Sequence, residues 1–375
     1  MMKIALISFH NAANFGAALQ AFALQRALDQ MGHSGEYINY VNDTRAHQYS
    51  MSFLFLDSLK KGNVSGAVKY LVGAPFLAIR KKKFGNFYKQ YLHTTPKVYR
   101  NSEEAKELCP FYDRFIVGSD QVWNPVNNGH DTAFLLDFVA ENRKKISYSS
   151  SFGLSELDKE TADKYRECLS SFYALAVRET IGQDIVQQLI GKRPELVLDP
   201  VMLLSQGDWR SLTQGYRLPG EKYVFAYTNR ESQVASFLKT GYPMDGKKLY
   251  KLSRYTRARD FLDPSVRVKY WMSPLEFVNM IDNAELVVSA SFHCLAMSIL
   301  LNKPFVAVLT GNYGRDERLN HMLKMFGLED RVLTPGMTPD SISRPICWEA
   351  VNEKMSGRRK ESLLYLRNAI GQDEI

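Results

Sequence analysis

What most constrains this chain is an alternation. Short, mostly apolar runs end in polar or glycine-bearing loops, and most of these loops lead into apolar residues at helical spacing. Residues 3–9 (KIALISF) form the first run. A run with no polar alternation is a strand buried on both faces, as in a parallel sheet covered by helices. The loop HNAANFG follows, then residues 17–31 (AALQAFALQRALDQM) at helical spacing, with Gly32 as a stop. GEYINY is the next strand, so the chain opens on a strand–helix–strand unit.

The pattern returns at 111–118 (FYDRFIVG), 144–153 (KKISYSSSFG), 174–179 (ALAVRE) and 195–200 (ELVLDP). Residues 201–220, with Gly207, Gly215, Pro219 and Gly220, read as a linker. A second series follows: strands at 221–228 and 247–253, and a helix at 273–284 with Ser273 as its cap and Pro274 in its first turn. Then come a strand at 285–290, a helix at 291–301, a strand at 303–309 and a long helix at 348–370. At 375 residues the chain exceeds one typical core. The expectation is α/β, two Rossmann-like domains facing a cleft. Residues 1–205 are expected to form an N-terminal domain and residues 206–375 a C-terminal domain, with the last helix packing back on the first domain. Ligands in such sheets sit at the carboxyl ends of the strands.

Composition narrows the partners. With 45% hydrophobic and 23% charged residues the chain is globular. A formal charge of +8 calls for an anionic partner: a phosphometabolite, an anionic lipid or a nucleic acid. The basic residues are spread over several segments without a nucleic-acid-binding signature, so no nucleic acid is expected. Cys109, Cys168, Cys294 and Cys347 are too scattered for a CxxC pair or a metal site, and read as free thiols in a reducing compartment. The start, MMKIALISF, is too short for a signal peptide and reads as a strand. No uncharged apolar run reaches the ~18 residues of a membrane span; the best, Ala67 to Ile79, contains Lys69 and Pro75. A cytoplasmic location is expected. Residues 66–93 mix aromatic, aliphatic and basic side chains, with four cations from Arg80 to Lys83. This segment is either a peripheral contact with the inner face of the membrane or a core-packing helix with a solvated basic end.

Several segments, in order, carry a resemblance: NFGAALQAFALQRAL near the start, FIVGSDQVWNP (115–125), SYSSSFG, AVRE, LVLDPVMLL, SPLEFVNMIDNAELVVSASFHCLAMSILLNKPFVAV (273–308) and GRDERLNHMLKMFGLEDRVL (314–333). Together they resemble the polysaccharide pyruvyl transferase family over roughly residues 3–333. The resemblance implies a GT-B-like architecture, with residues 1–205 on the acceptor side and residues 206–375 on the donor side, and transfer of a pyruvyl group from phosphoenolpyruvate to a sugar, forming a ketal and releasing phosphate. The implied acceptor belongs to a cell-surface polysaccharide, such as a capsule or exopolysaccharide, or to its lipid-linked precursor. The donor is a substrate, and no metal or cofactor is implied. Some members of the family carry Arg-Leu-His where this chain has Ser291, Phe292 and His293, which leaves the donor-binding arginine to be assigned.

That chemistry needs cations for a phosphate and a carboxylate, an acid for the methylene carbon and a base for the attacking hydroxyl. His293, in the first turn of an apolar helix, is the candidate for proton transfer or for the phosphate; as a lone histidine it would simply pack against its helix. Ser291 is the helix N-cap and a possible phosphate contact. Arg178 either clamps the donor or pairs with Glu179 or another carboxylate. Glu179 is either a base or Arg178's orienter. Asp120 is the preferred base, with holding its loop closed as the alternative. Gln121 and Trp123 are placed on the sugar, with loop packing open for Trp123. Asn14 and Gly16 lie in the first loop on the acceptor side. Arg315 and Arg318 either replace the missing arginine at the phosphate or are solvated helix charges. Two other functions fit the same fold: a GT-B glycosyltransferase using a nucleotide sugar, and a non-catalytic glycan-binding protein. The glutamate pair eight residues apart of many retaining glycosyltransferases is missing, since Glu276 has Ala284 at that spacing.

Overall fold

In the computed structural model, which describes residues 1–48, 50–240, 242–253, 263–334 and 337–371, the first unit forms around β1 (Lys3–Ile7), with four consecutive buried residues. α1 (Phe15–Gln30) follows, and β2 (Ser34–Tyr37) returns parallel to β1. Asn14 caps α1, accepting from the Ala17 N–H at 3.2 Å. The helix is apolar nearly all round and is buried along most of its length, because both halves of the molecule pack on it. Phe15 stacks on Phe277 at 4.5 Å, and Phe22 meets Trp209 at 5.7 Å.

Three helices leave the sheet next: α2 (Asp43–Gln48), α3 (Met51–Lys60) and the long α4 (Val64–Tyr91). The chain returns through α5 (Ser102–Ala105) to β3 (Arg114–Val117), α6 (Pro125–Asn128) and β4 (Lys145–Ser147). It continues through α7 (Lys159–Ser170), β5 (Ala176–Val177), α8 (Thr180–Ile190) and β6 (Glu195–Leu196). The first sheet has the order β2-β1-β3-β4, all parallel, and single bridges at Ile146–Ala174 and Ser150–Val177 carry it on to the β5–β6 pair.

The segment read as a linker is not one throughout. It holds α9 (Gln206–Thr213), opened by a capping box between Ser205 and Asp208. Trp209 is fully buried there and donates from Nε1 to the Val201 carbonyl at 3.0 Å. The glycines and proline that suggested a linker flank this helix, apart from Gly207 in its first turn.

The second series is β7 (Tyr223–Tyr227), α10 (Glu231–Thr240), β8 (Lys248–Leu252), β9 (Val266–Lys269), α11 (Pro274–Asp282), β10 (Leu286–Ser289), α12 (Phe292–Leu300) and β11 (Phe305–Ala307). Its sheet, also parallel, has the order β11-β10-β7-β8-β9. After α13 (Tyr313–Phe326) and α14 (Pro339–Ser343), α15 (Trp348–Ile370) crosses to the first half. There Tyr365 donates to the Ser147 carbonyl at 2.8 Å, and Ser362 accepts from the Leu198 N–H at 2.9 Å. Lys83 and Glu276 join the halves by an ion pair at 2.7 Å. The backbones themselves meet where a Cβ on Gly314 would lie 2.4 Å from the Gly153 carbonyl oxygen.

Candidate active site

The carboxyl ends of the strands converge on one buried polar cluster. β3 leads to Ser119 and Asp120, β5 to Arg178 and Glu179, and β6 to Asp199. From the other half, Ser291 caps α12 and so places Phe292 and His293 in its first turn.

Asp199 is the hub. Its Oδ2 accepts from Arg178 Nη1 at 2.7 Å and from the Ser119 hydroxyl at 3.0 Å, while Oδ1 accepts from the Val201 N–H at 3.1 Å. His293 Nε2 stands 3.3 Å from Oδ2, at ion-pair distance but outside hydrogen-bond geometry. Burial alone would raise the Asp199 pKa; the charges of His293 and Arg178 outweigh it and hold the carboxyl well below the usual range. Arg178, equally buried, lies with Nε 3.4 Å from Glu179 and its guanidinium 4.5 Å over the Phe292 ring.

The second arginine, Arg318, comes from α13 and donates from Nε to the Gly314 carbonyl at 3.1 Å. With its amide oxygen turned to face Arg318, Gln121 accepts from both terminal nitrogens at 2.5 and 3.1 Å. Burial, with the like charge of Arg178, pushes Arg318 down to about 10. An anion between the two guanidinium groups would relieve that repulsion. Asp120 adopts a left-handed φ of 78°, and its carboxylate lies 3.9 Å from Arg45. Burial raises its pKa, but Arg45, His293 and Arg178 outweigh that and lower it overall.

Four buried atoms in this region have no hydrogen-bond partner: Arg178 Nη2, Glu179 Oε1, His293 Nε2 and Ser151 Oγ. Buried polar atoms are almost always satisfied, so four orphans in one region mark a place for a polar ligand. Gly16, expected in the first loop, lies instead in the first turn of α1 and closes the site from there. A Cβ there would lie 2.1 Å from His293 Nδ1, so the first turn of α1 rests directly on the imidazole ring. The N-termini of α1 and α12 therefore both meet the histidine, and both favour negative charge there. Beside the cluster a cavity of about 750 Å³ opens, lined by Asn14, Arg45, Arg80 and Tyr227 among others.

A family model described as polysaccharide pyruvyl transferase matches residues 14–312. The chain belongs to this family. No curated protein sequence matches it. Among solved structures, a putative UDP-N-acetylglucosamine 2-epimerase from Listeria monocytogenes aligns with a TM-score of 0.54 at 10% identity, covering 97% of this chain and 90% of that one. The UDP-GlcNAc 2-epimerase of Neisseria meningitidis bound to UDP-GlcNAc gives 0.53 at 12% identity, covering 98% and 99%. At such identities the likeness shows the fold: the GT-B arrangement of two Rossmann-like domains facing a cleft.

Of the residues singled out in the sequence of this family member, the structure brings His293, Arg178, Glu179, Asp120, Gln121, Arg318 and Gly16 together. Ser291 and Asn14 stand at the edge as caps, and Asn14 also lines the cavity. Two placements need correction. Trp123 is fully buried, donates from Nε1 to the Phe134 carbonyl at 2.9 Å and packs on Phe152, so it has no face for a sugar. Arg315 is exposed a turn before Arg318 and acts on it only as a like charge. Sequence reasoning missed Asp199, Ser119 and Arg45. The first stood in plain view in LVLDPVMLL, where the aspartate looked like a strand end beside a proline.

Proposed function

We propose that this protein transfers a pyruvyl group from phosphoenolpyruvate to two hydroxyls of a sugar in a cell-surface polysaccharide or its lipid-linked precursor. The observation that carries this reading is the buried set of Arg178, Arg318 and His293 around Asp199, with Arg178 Nη2, His293 Nε2 and Glu179 Oε1 unsatisfied. Arg178 and Arg318 bind the donor's phosphate and carboxylate as planar forks. His293, held beside Asp199, gives a proton to the methylene carbon, which becomes a methyl group and leaves the neighbouring carbon electrophilic. One sugar hydroxyl attacks that carbon, phosphate departs with its bridging oxygen, and the second hydroxyl closes the ketal. Of the two hydroxyl protons released, one replaces the proton spent on the methyl group and the other leaves with phosphate.

Glu179 takes the role of base, since its free oxygen is buried in the site, whereas the lowered pKa of Asp120 makes it a weak base and a better counter-charge for Arg45. The acceptor enters from the cavity lined by Asn14 and Arg45. In this reading the reaction takes place in the cytoplasm, at the inner face of the membrane, where a lipid-linked acceptor would be met. Separately, no described helix is long and apolar enough to cross a membrane. Phosphate release from phosphoenolpyruvate, measured with a panel of glycan acceptors, tests the proposal. Release that needs both an acceptor and His293 supports it. Turnover of a nucleotide sugar instead would assign glycosyl transfer, and glycan binding without any release would assign a non-catalytic role.

A further inference from the structure

The helical excursion between β2 and β3 has an apolar face that the fold leaves open. On α4, Val64, Val68, Leu71, Pro75 and Ile79 are all exposed and recur at steps of three or four residues, so they form one stripe. Val64, Val68 and Leu71 expose 66%, 54% and 64% of their surface. A surface helix normally turns polar residues to that side. α3, packed beside α4, adds Phe53, Leu56 and Leu59 at three-residue steps. Seven of the sixteen large hydrophobic side chains exposed among the described residues lie on these two helices, far more than their share.

The charge around the stripe is mostly of one sign. Between residues 58 and 92 the sequence holds eight Lys and Arg and no Asp or Glu; on α3 itself the one acidic residue is Asp57, paired with Lys61 at 2.8 Å. Lys60 and Lys61 are exposed at the end of α3, and beyond Ile79 the same face of α4 continues as exposed Lys82, Asn86 and Lys89. Exposed aliphatic residues beside an excess of cations, with Asp57 on α3 as the one carboxylate among them and already neutralised by Lys61, suit the headgroup boundary of an anionic bilayer. The neighbouring face of α4, through Ala74, Leu77, Ala78 and Lys81, walls the cavity next to the active site. α4 is tied to the first loop there: Arg80 Nη2 donates to the Ala13 carbonyl at 3.1 Å and Tyr88 to the Ala12 carbonyl at 2.5 Å.

We propose that α3 and α4 seat on an anionic phospholipid bilayer, with the stripe sunk to the headgroup boundary, so that the cavity receives from the membrane side a sugar carried on a phosphate-bearing lipid. The seat stands on the surface alone; the route of the sugar rests on the pyruvyl-transfer reading.

The test is co-sedimentation of the full chain with vesicles of phosphatidylglycerol and phosphatidylcholine in equal parts, against phosphatidylcholine alone. The double variant Val68→Glu/Leu71→Glu is run in parallel. Both positions are exposed, so the fold should survive, and thermal unfolding of the same preparations checks that it does, with phosphoenolpyruvate binding measured beside it. The wild type should pellet with the anionic vesicles, less at high salt, and the variant should partition on the order of a hundredfold less. A wild type that stays in solution, or a variant that pellets equally, overturns the seat. A dimer in sedimentation velocity that the double variant splits also overturns it, in favour of a second copy of this chain. Pelleting without phosphoenolpyruvate binding would leave the seat standing and sink the transfer reading; binding without pelleting would do the reverse.

Discussion

Gly16→Ala is the substitution that separates a close-packed site from a loose one. The added Cβ would start 2.1 Å from His293 Nδ1, where ordinary contact needs 3.4 Å or more. Helix and ring must therefore part by about 1.3 Å, an overpacking that costs about 1–3 kcal/mol. A displacement of that size at a proton-transferring group lowers turnover about a hundredfold. Alanine is otherwise the better helix former, by about 1 kcal/mol. The clash should therefore vanish in the background of His293→Ala, where the ring is gone, and Gly16→Ala should there be neutral or slightly stabilising. Thermal unfolding of the four proteins in the cycle reads the coupling, expected at about 2 kcal/mol. An equal cost in both backgrounds, or a Gly16→Ala enzyme with wild-type turnover, would refute the contact between the first turn of α1 and the histidine.

The other expectations concern charge. Arg178→Lys keeps the charge but loses the fork that serves Asp199, Glu179 and the Phe292 ring together, so calorimetry should show weaker phosphoenolpyruvate binding, and thermal unfolding a smaller loss of stability than removal of the charge by Arg178→Met. Asp199→Asn leaves Arg178 buried beside a neutral amide, and its unfolding midpoint should fall by the equivalent of about 3–5 kcal/mol. The depressed Asp199 pKa implies stability that is present above the ordinary carboxylate range and lost as pH falls through the folded value, so the variant should lose that strongly acid part of the pH dependence. His10 titrates in a milder window. Burial lowers its pKa from 6.5 to about 4 despite the Ser8 carbonyl at 3.2 Å. Only the unfolded chain takes up a proton between those values, so stability should drop by about 3 kcal/mol from pH 6.5 to 4. His10→Gln should flatten that slope in denaturant titrations.

Most strands and their order in the chain were legible because apolar runs ending in polar loops have few other solutions, and the arginines and histidine of the site were legible as residue types near strand ends. β9, an edge strand whose residues alternate between half-buried and exposed, has no such run and was not. Other features were hidden too. α9 hid among glycines, since its capping box and one buried tryptophan outweigh the flexible residues around it. Trp123 sits in a loop that looks exposed in sequence but is folded under Phe152 and Phe134. Asp199 acts through Arg178, Ser119 and His293, partners drawn from three distant segments, and no local pattern announces such a hub. The exposed stripe on α4 has the spacing of a core helix, and only the fold shows which way that face turns.

Titration calorimetry of phosphoenolpyruvate into the wild type and into His293→Ala, with a panel of nucleotide sugars as control, tests the central claim most directly. The account predicts that the donor binds the wild type, binds the variant more weakly, and that no nucleotide sugar competes. A nucleotide sugar bound in place of phosphoenolpyruvate, or donor binding unchanged by the loss of His293, would contradict it.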